Sequence, residues 1–161
     1  MNRKSLIAVL LITLAGVACL LVYKGNTTAD PEHYYRLGIE ASYGRDIPAE
    51  VRNFKKAIRC CQKDLEQHLS LALASYDGLA AAYMHNEEYG KAEKVLLTAL
   101  DMAVAHRGQH SAEAMKLYYL LALYASYAGE SAKSVRYNKE VLRIAEELSP
   151  DEKRGPLGTG E

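Results

Sequence analysis

Residues 76–100, YDGLAAAYMHNEEYGKAEKVLLTAL, decide the fold of this chain. The segment reads as two helices joined by a polar turn, HNEE, and Ala80, Ala92 and Ala99 supply small side chains where the two helices approach each other closely. The same pattern reappears before and after this segment, at a 42-residue interval in each direction. Self-similarity at a fixed interval is typical of repeat architectures, so we predict an all-α chain built of repeated helical hairpins.

The 42-residue interval can be followed position by position. Tyr76 aligns with Tyr34 and Tyr118, and the leucine three places later and the small residue after it recur in all three units. Steps of three and four residues keep these side chains on one helical face, which we expect to be a packing stripe. One hairpin cannot bury such a face alone, whereas three stacked hairpins form a continuous core. We therefore predict an α-solenoid of three hairpins, at about residues 31–66, 70–107 and 111–148.

The units resemble tetratricopeptide repeats (TPRs). The middle unit carries the aromatic, leucine and small residues of that family at Tyr76, Leu79, Ala80, Tyr83, Tyr89, Ala92, Leu96 and Ala99. The interval is longer than the one most common in that family and is similar to the 42-residue variant of kinesin light chains. The outer units depart from the pattern, because Glu50 stands where the second helix has a small residue and Asn138 stands where it has a bulky one. A slip of one residue would let Ala49 replace Glu50.

The resemblance implies a protein-interaction scaffold that binds a peptide or a complex subunit on its concave surface. In that fold the first helix of each hairpin lines the concave surface, on the side opposite the packing stripe. Tyrosine suits recognition because it combines a large rigid apolar area with a polar tip. The alternative is that some of these side chains only fill space between hairpins. The partner-binding groove is predicted at Tyr35, Ile39, Tyr43, Asp77, Ala81, His85, Tyr119, Leu123 and Tyr127.

The N-terminal part of the chain contains a long uncharged run at residues 6–23 (LIAVLLITLAGVACLLVY). As a helix it would extend about 27 Å, close to the hydrocarbon thickness of a bilayer. Arg3 and Lys4 precede it, so the positive-inside rule predicts a single-pass membrane protein with a cytoplasmic N-terminus. The hairpins would then lie on the far side of the membrane, in the periplasm if the cell is bacterial. We assign residues 1–24 to a signal anchor and 25–30 to a polar linker.

Two alternatives to the signal anchor remain open. Residues 15–19 (AGVAC) look like a permissive lipobox, in which Cys19 would be acylated. The protein would then be a lipoprotein that serves an envelope complex as a pilotin-like assembly factor. The second alternative is an ordinary signal peptide that is cleaved.

The charge balance argues against nucleic acid as a partner. The whole chain has 20 basic and 20 acidic residues, and without Arg3, Lys4 and Lys24 the remaining part carries a net charge of about −3. A repeat array that binds nucleic acid usually shows a basic stripe. We therefore expect a protein or peptide partner.

The residues that could carry chemistry have structural explanations. The 42-residue interval places Cys60 and Cys61 at apolar and small positions of the other units, so we predict that they are core residues. His106 and His110 are four residues apart, but Gly108 interrupts the helix between them. No nucleophile–base pattern or phosphate-binding glycine loop is present. The sequence predicts no enzyme activity, no cofactor and no metal site.

The C-terminal end predicts one further surface. Residues 149–161 are rich in glycine, proline and charge, which is typical of a disordered tail. Repeat arrays usually end in an extra helix that covers the last apolar face, and the sequence shows none after residue 148. We expect an exposed edge at Leu142, Ala145 and Leu148, available to a partner or to a second copy in a homodimer.

Overall fold

The computed structural model describes residues 30–149. This part of the chain is all-helical, which confirms the predicted all-α class for the described residues. The six helices are α1 (Pro31–Tyr43), α2 (Ile47–Cys61), α3 (Leu65–His85), α4 (Tyr89–Arg107), α5 (Ala112–Tyr127) and α6 (Ser131–Leu148).

Side chains that precede the helices fix where several of them begin. Asp46 accepts a hydrogen bond from the Ala49 N–H at 3.0 Å and so caps α2, which begins at Ile47. Ser111 caps α5 in the same way. These polar caps satisfy N–H groups that have no partner within the helix.

The turns between α1 and α2, α3 and α4, and α5 and α6 share one backbone geometry, which recurs at the 42-residue interval. Arg45, Glu87 and Gly129 all have positive φ, of 54°, 58° and 76°. In the first turn the Asp46 N–H donates to the Ala41 carbonyl at 2.9 Å, which closes the end of α1. Equivalent hydrogen bonds join Glu88 to Tyr83 and Glu130 to Ala125, each at 2.8 Å.

Helix α3 is longer than the sequence pattern predicts. The second hairpin was predicted from about residue 70, whereas α3 begins at Leu65 after the N-cap Asp64. His68 has φ −112° and ψ 16°, so a kink separates the first turn of α3 from the rest. Asp64 starts a helical turn by accepting from the Gln67 N–H, and the regular helix continues only beyond His68.

Consecutive helices pack against each other in chain order, and α1 also contacts α3. Phe54 of α2 is 1% exposed and fills the space between α1 and α3. A Cβ atom at Gly38 of α1 would lie within 2.9 Å of three atoms of this ring, and one at Gly78 of α3 within 2.7 Å of three. The absence of a side chain at both glycines therefore lets α1 and α3 approach the same aromatic ring.

The predicted packing stripe lies in the core in the second and third units. Leu79 and Leu121 are buried, together with the small residue that follows each of them, whereas Leu37 of the first unit is only partly buried. Helices α2, α4 and α6 begin at Ile47, Tyr89 and Ser131, so their starts keep the 42-residue interval without a slip. Both Ala49 and Glu50 are buried at the start of α2.

The predicted signal anchor (1–24), most of the linker (25–30) and the tail beyond Ser149 lie outside the described residues. Among residues 30–149 no helix is long and apolar enough to cross a membrane.

Candidate functional site

One row of exposed rings lies at the ends of the first helices. Tyr43, His85 and Tyr127 are the last residues of α1, α3 and α5, and they recur at the 42-residue interval. All three are exposed, with Tyr43 at 87% and Tyr127 at 61%. Because the turn after each of these helices has the same geometry, each ring projects from an equivalent position. Tyr119, two turns before Tyr127 on the same face of α5, is also exposed at 53%.

The other predicted groove residues are less open. Tyr35, Ile39 and Leu123 are partly buried and pack against the hydrophobic core. The Tyr35 ring lies 5.8 Å from the Phe54 ring, centroid to centroid. Ala81 is also partly buried. These side chains contribute to the packing between helices and present only part of their surface to a ligand.

Asp77, another predicted groove residue, is held by a neighbouring helix. Lys116 Nζ of α5 lies 2.8 Å from Asp77 Oδ2 of α3, so this ion pair bridges the two first helices. Burial raises the pKa of Tyr124 to about 12, and the nearby charge of Asp77 acts in the same direction. Lys116 was not among the predicted groove residues, although it precedes Tyr119 by three residues and so lies on the same stripe of α5.

Beside this ion pair, a shallow cleft of about 150 Å³ separates α3 from α5. Leu73, Leu117 and Leu120 form its apolar part, and Lys116 and Asp77 form its polar part. The cleft continues the surface that carries Tyr119.

A buried carboxyl group lies beneath His85. Glu50 is 2% exposed and stands where the other pairs have Ala92 and Ser134. Burial raises the pKa of the Glu50 carboxyl group, while His85 and a hydrogen bond with Ser42 act in the opposite direction. The five residues Ser42, Arg45, Ile47, Glu50 and His85 line an open cavity of about 330 Å³. The row of exposed rings therefore has a cavity next to its middle member, His85.

Among the cysteines and histidines considered for chemistry, burial accounts for Cys61 and pairing accounts for His110. Cys60 and Cys61 are free thiols; Cys61 is completely buried, as predicted for a core residue, whereas Cys60 is only partly buried and His106 is exposed. Burial raises the pKa of the Cys61 thiol to about 11, which keeps it protonated at neutral pH. His110 pairs with Glu147 of α6. In the described part of the chain, no group of three or more His, Cys, Asp or Glu side chains is arranged to hold a metal ion.

The predicted C-terminal edge lies on α6. Leu142 is 65% exposed and Leu148 is 47% exposed, while Ala145 between them is partly buried. Val135, which the sequence analysis did not single out, is 56% exposed on the same helix. The proposed acylation site Cys19 lies outside the described residues.

Neither comparison of the sequence with known proteins identifies a relative: no protein-family model matches the chain, and no curated protein matches it.

Proposed function

We propose that residues 30–149 form a TPR-like α-solenoid that binds an extended peptide, or an extended segment of a complex subunit, across the ends of its first helices. The observation that carries this proposal is the row of exposed rings, Tyr43, His85 and Tyr127, at the same position of three successive helix pairs. Exposed aromatic residues are costly to leave in water, and they are enriched where proteins bind one another.

The row of rings suits an extended ligand, because an extended chain advances about 3.3 Å per residue and can pass from one helix end to the next. The hydroxyl groups of Tyr43 and Tyr127 and the imidazole of His85 can hydrogen-bond the ligand backbone, while the ring faces cover its apolar side chains.

The predicted signal anchor forms part of this proposal and rests on the sequence of residues 6–23. An anchored module would meet its partner at a membrane surface, as a scaffold does for a subunit of a membrane complex. No catalytic step is included.

Site-specific photocrosslinking in the native membrane tests the proposal. A photoreactive phenylalanine analogue replaces Tyr43, Tyr127 or, as a matched control, Leu97, an exposed leucine on α4 away from the row of rings. We expect positions 43 and 127 to crosslink the same protein, and position 97 not to crosslink it. The double variant Tyr43→Ala/Tyr127→Ala should lose this partner in a pull-down. Unchanged recovery of the partner by the double variant would refute the role of the rings.

A further inference from the structure

Three of the seven large apolar side chains that are exposed among the described residues lie on α6, namely Val135, Leu142 and Leu148. Val135 and Leu142 are seven residues apart and therefore lie on one stripe, with exposures of 56% and 65%. Asn138 and Ala145 complete the stripe, and Leu148 lies at its rim. Two large side chains exposed on one stripe distinguish this face from ordinary isolated surface leucines.

Comparison with the equivalent positions of the other two helix pairs shows that this face of α6 is not covered by a following helix. Ile58 of α2 and Leu100 of α4 occupy the position of Leu142, and they are only 6% and 7% exposed. Helix α3 packs on α2 and α5 packs on α4, so in both cases the first helix of the next pair provides the cover. Within residues 30–149 no seventh helix follows α6. Leu142 therefore occupies a position at which the other two pairs pack against another helix.

The opposite end of the helix array is a poor source of that helix from a second copy. Arg36 of α1 aligns with Gly78 of α3 and Leu120 of α5, and both Arg36 and Glu40 are exposed. Stacking α1 of another copy on α6 would bury the charged side chains of Arg36 and Glu40 on the stripe that contains Val135 and Leu142, which is costly. A head-to-tail chain of copies is thus disfavoured, and a two-fold interface of α6 with itself is favoured.

The charges on α6 determine the direction of such a pairing. The first half of the helix carries Lys133, Arg136 and Lys139 and no carboxylate, whereas its second half carries Glu140, Glu146 and Glu147 and one basic residue, Arg143, which pairs with Glu140 and Glu147. This charge distribution is the reverse of the one that the helix dipole favours, so it does not stabilise α6 within a single copy. In an antiparallel pair, however, the basic half of one helix faces the acidic half of the other. A parallel pair would bring the two Lys139 side chains to the same level.

We propose that two copies of the chain pair through the outer faces of their α6 helices, antiparallel, with the two-fold axis near Leu142. The two Leu142 side chains then contact each other across the axis. Val135 packs on the last turn of the second helix, and Lys139 lies beside Glu146 of the second copy. Residues 150–161 are a poor alternative cover, because Leu157 is their single leucine. This interface is separate from the row of exposed rings.

Sedimentation equilibrium of the full chain in density-matched detergent tests the proposal. The wild type should be dimeric, and Leu142→Asp should weaken dimerisation roughly a hundredfold or more, because the substitution enters a two-fold interface twice. Leu97→Asp is the matched control, since Leu97 is an exposed leucine on α4, and it should remain dimeric. Far-ultraviolet circular dichroism should be unchanged in both variants. A dimer that persists in Leu142→Asp would overturn the proposal.

Oxidative crosslinking in membranes gives an independent readout of the geometry. In a chain whose three native cysteines are replaced, Leu142→Cys should form a disulfide-linked dimer with itself. Lys139→Cys mixed with Glu146→Cys should form mixed dimers, and each alone should form few. Self-crosslinking of Lys139→Cys at the level of Leu142→Cys would overturn the antiparallel arrangement.

A monomeric wild type also overturns the proposal, and the reactivity of Leu142→Cys then identifies the alternative. Protection from a water-soluble maleimide would assign the cover to the apolar segment 6–23 or to another protein of the membrane. Free reaction would show that α6 is simply the end of the array.

Discussion

Replacing Gly78 by alanine should destabilise the protein by about 2 kcal/mol, although alanine is the better helix former. The reason is the Phe54 ring, which is 1% exposed and lies between Gly78 and Gly38. The new Cβ would lie within 2.7 Å of three ring atoms. The ring has little room to retreat, because its other side lies close to the α1 backbone at Gly38, where an added Cβ would also be within 2.9 Å of it.

The magnitude follows from two opposing terms. Overpacking a close-packed core costs about 1–3 kcal/mol, and we take the upper end because the ring is confined by both glycines. Replacing glycine by alanine within a helix stabilises the protein by about 1 kcal/mol. In a Phe54→Leu background the cost should disappear, because leucine lacks the outer ring atoms Cζ, Cε1 and Cε2 that meet the new Cβ. Gly78→Ala should then stabilise by about 1 kcal/mol, which gives a coupling energy of about 3 kcal/mol.

Urea denaturation of the full chain in mild detergent, followed by far-ultraviolet circular dichroism, measures all four members of this cycle. Gly90→Ala is the matched control, because Gly90 is also helical and a Cβ there would meet nothing within 4 Å. It should be neutral or slightly stabilising. Equal destabilisation by Gly78→Ala in the wild-type and Phe54→Leu backgrounds would refute the reasoning, since the ring would then not be the cause.

Three other predictions concern the turns, the buried carboxyl group and the contact of α6 with α4. Gly129→Ala should destabilise the protein by about 1 kcal/mol and Glu87→Gly should stabilise it by up to about 1 kcal/mol, because both positions have positive φ. Urea denaturation tests this, since the two substitutions should change the free energy of unfolding in opposite directions. Glu50→Gln should stabilise the protein at neutral pH but not well below pH 4.5, the ordinary pKa of a glutamate. Burial raises the pKa of Glu50 in the folded state, so the wild type loses stability as the pH rises above 4.5. A pH series of unfolding midpoints tests this, and a stabilisation that is independent of pH would contradict it. Tyr137→Phe should cost about 1 kcal/mol by removing the 3.1 Å hydrogen bond from its hydroxyl group to Glu93, and an unchanged unfolding free energy would show that this bond contributes nothing.

The predicted groove shows where sequence reasoning reached its limit. Tyr35 and Tyr43 lie eight residues apart on one face of α1, so periodicity treats them alike. In the structure Tyr43 is exposed, whereas Tyr35 lies against Phe54 of α2 and packs on the core. The difference depends on how far α2 covers α1, and that is not encoded in the spacing of residues along α1.

The sequence also did not predict the ion pair of Asp77 with Lys116 or the burial of Glu50, because both depend on how neighbouring helices pack. Asp77 and Lys116 belong to different helix pairs, and their contact depends on the separation of α3 and α5. Glu50 interrupts the pattern of small residues, and a slip of one residue would have been a reasonable way to keep it in water. The structure keeps the register instead and buries the carboxyl group near Ser42 and His85.

The sequence by itself determined the helices and the 42-residue interval of their pattern, because these depend on residues that are near one another in the chain. The turns show what the sequence alone does not determine. A glycine at position 129 indicates a positive φ, whereas Arg45 and Glu87 do not. Only the packing of the two helices of each pair gives all three residues the same conformation. The tertiary structure alone decided which rings remain exposed and that the position of Leu142 is uncovered. Exposure depends on the neighbouring helix: the same position is buried on α4, where the next helix α5 packs, and open on α6, because no helix follows α6 within the described residues.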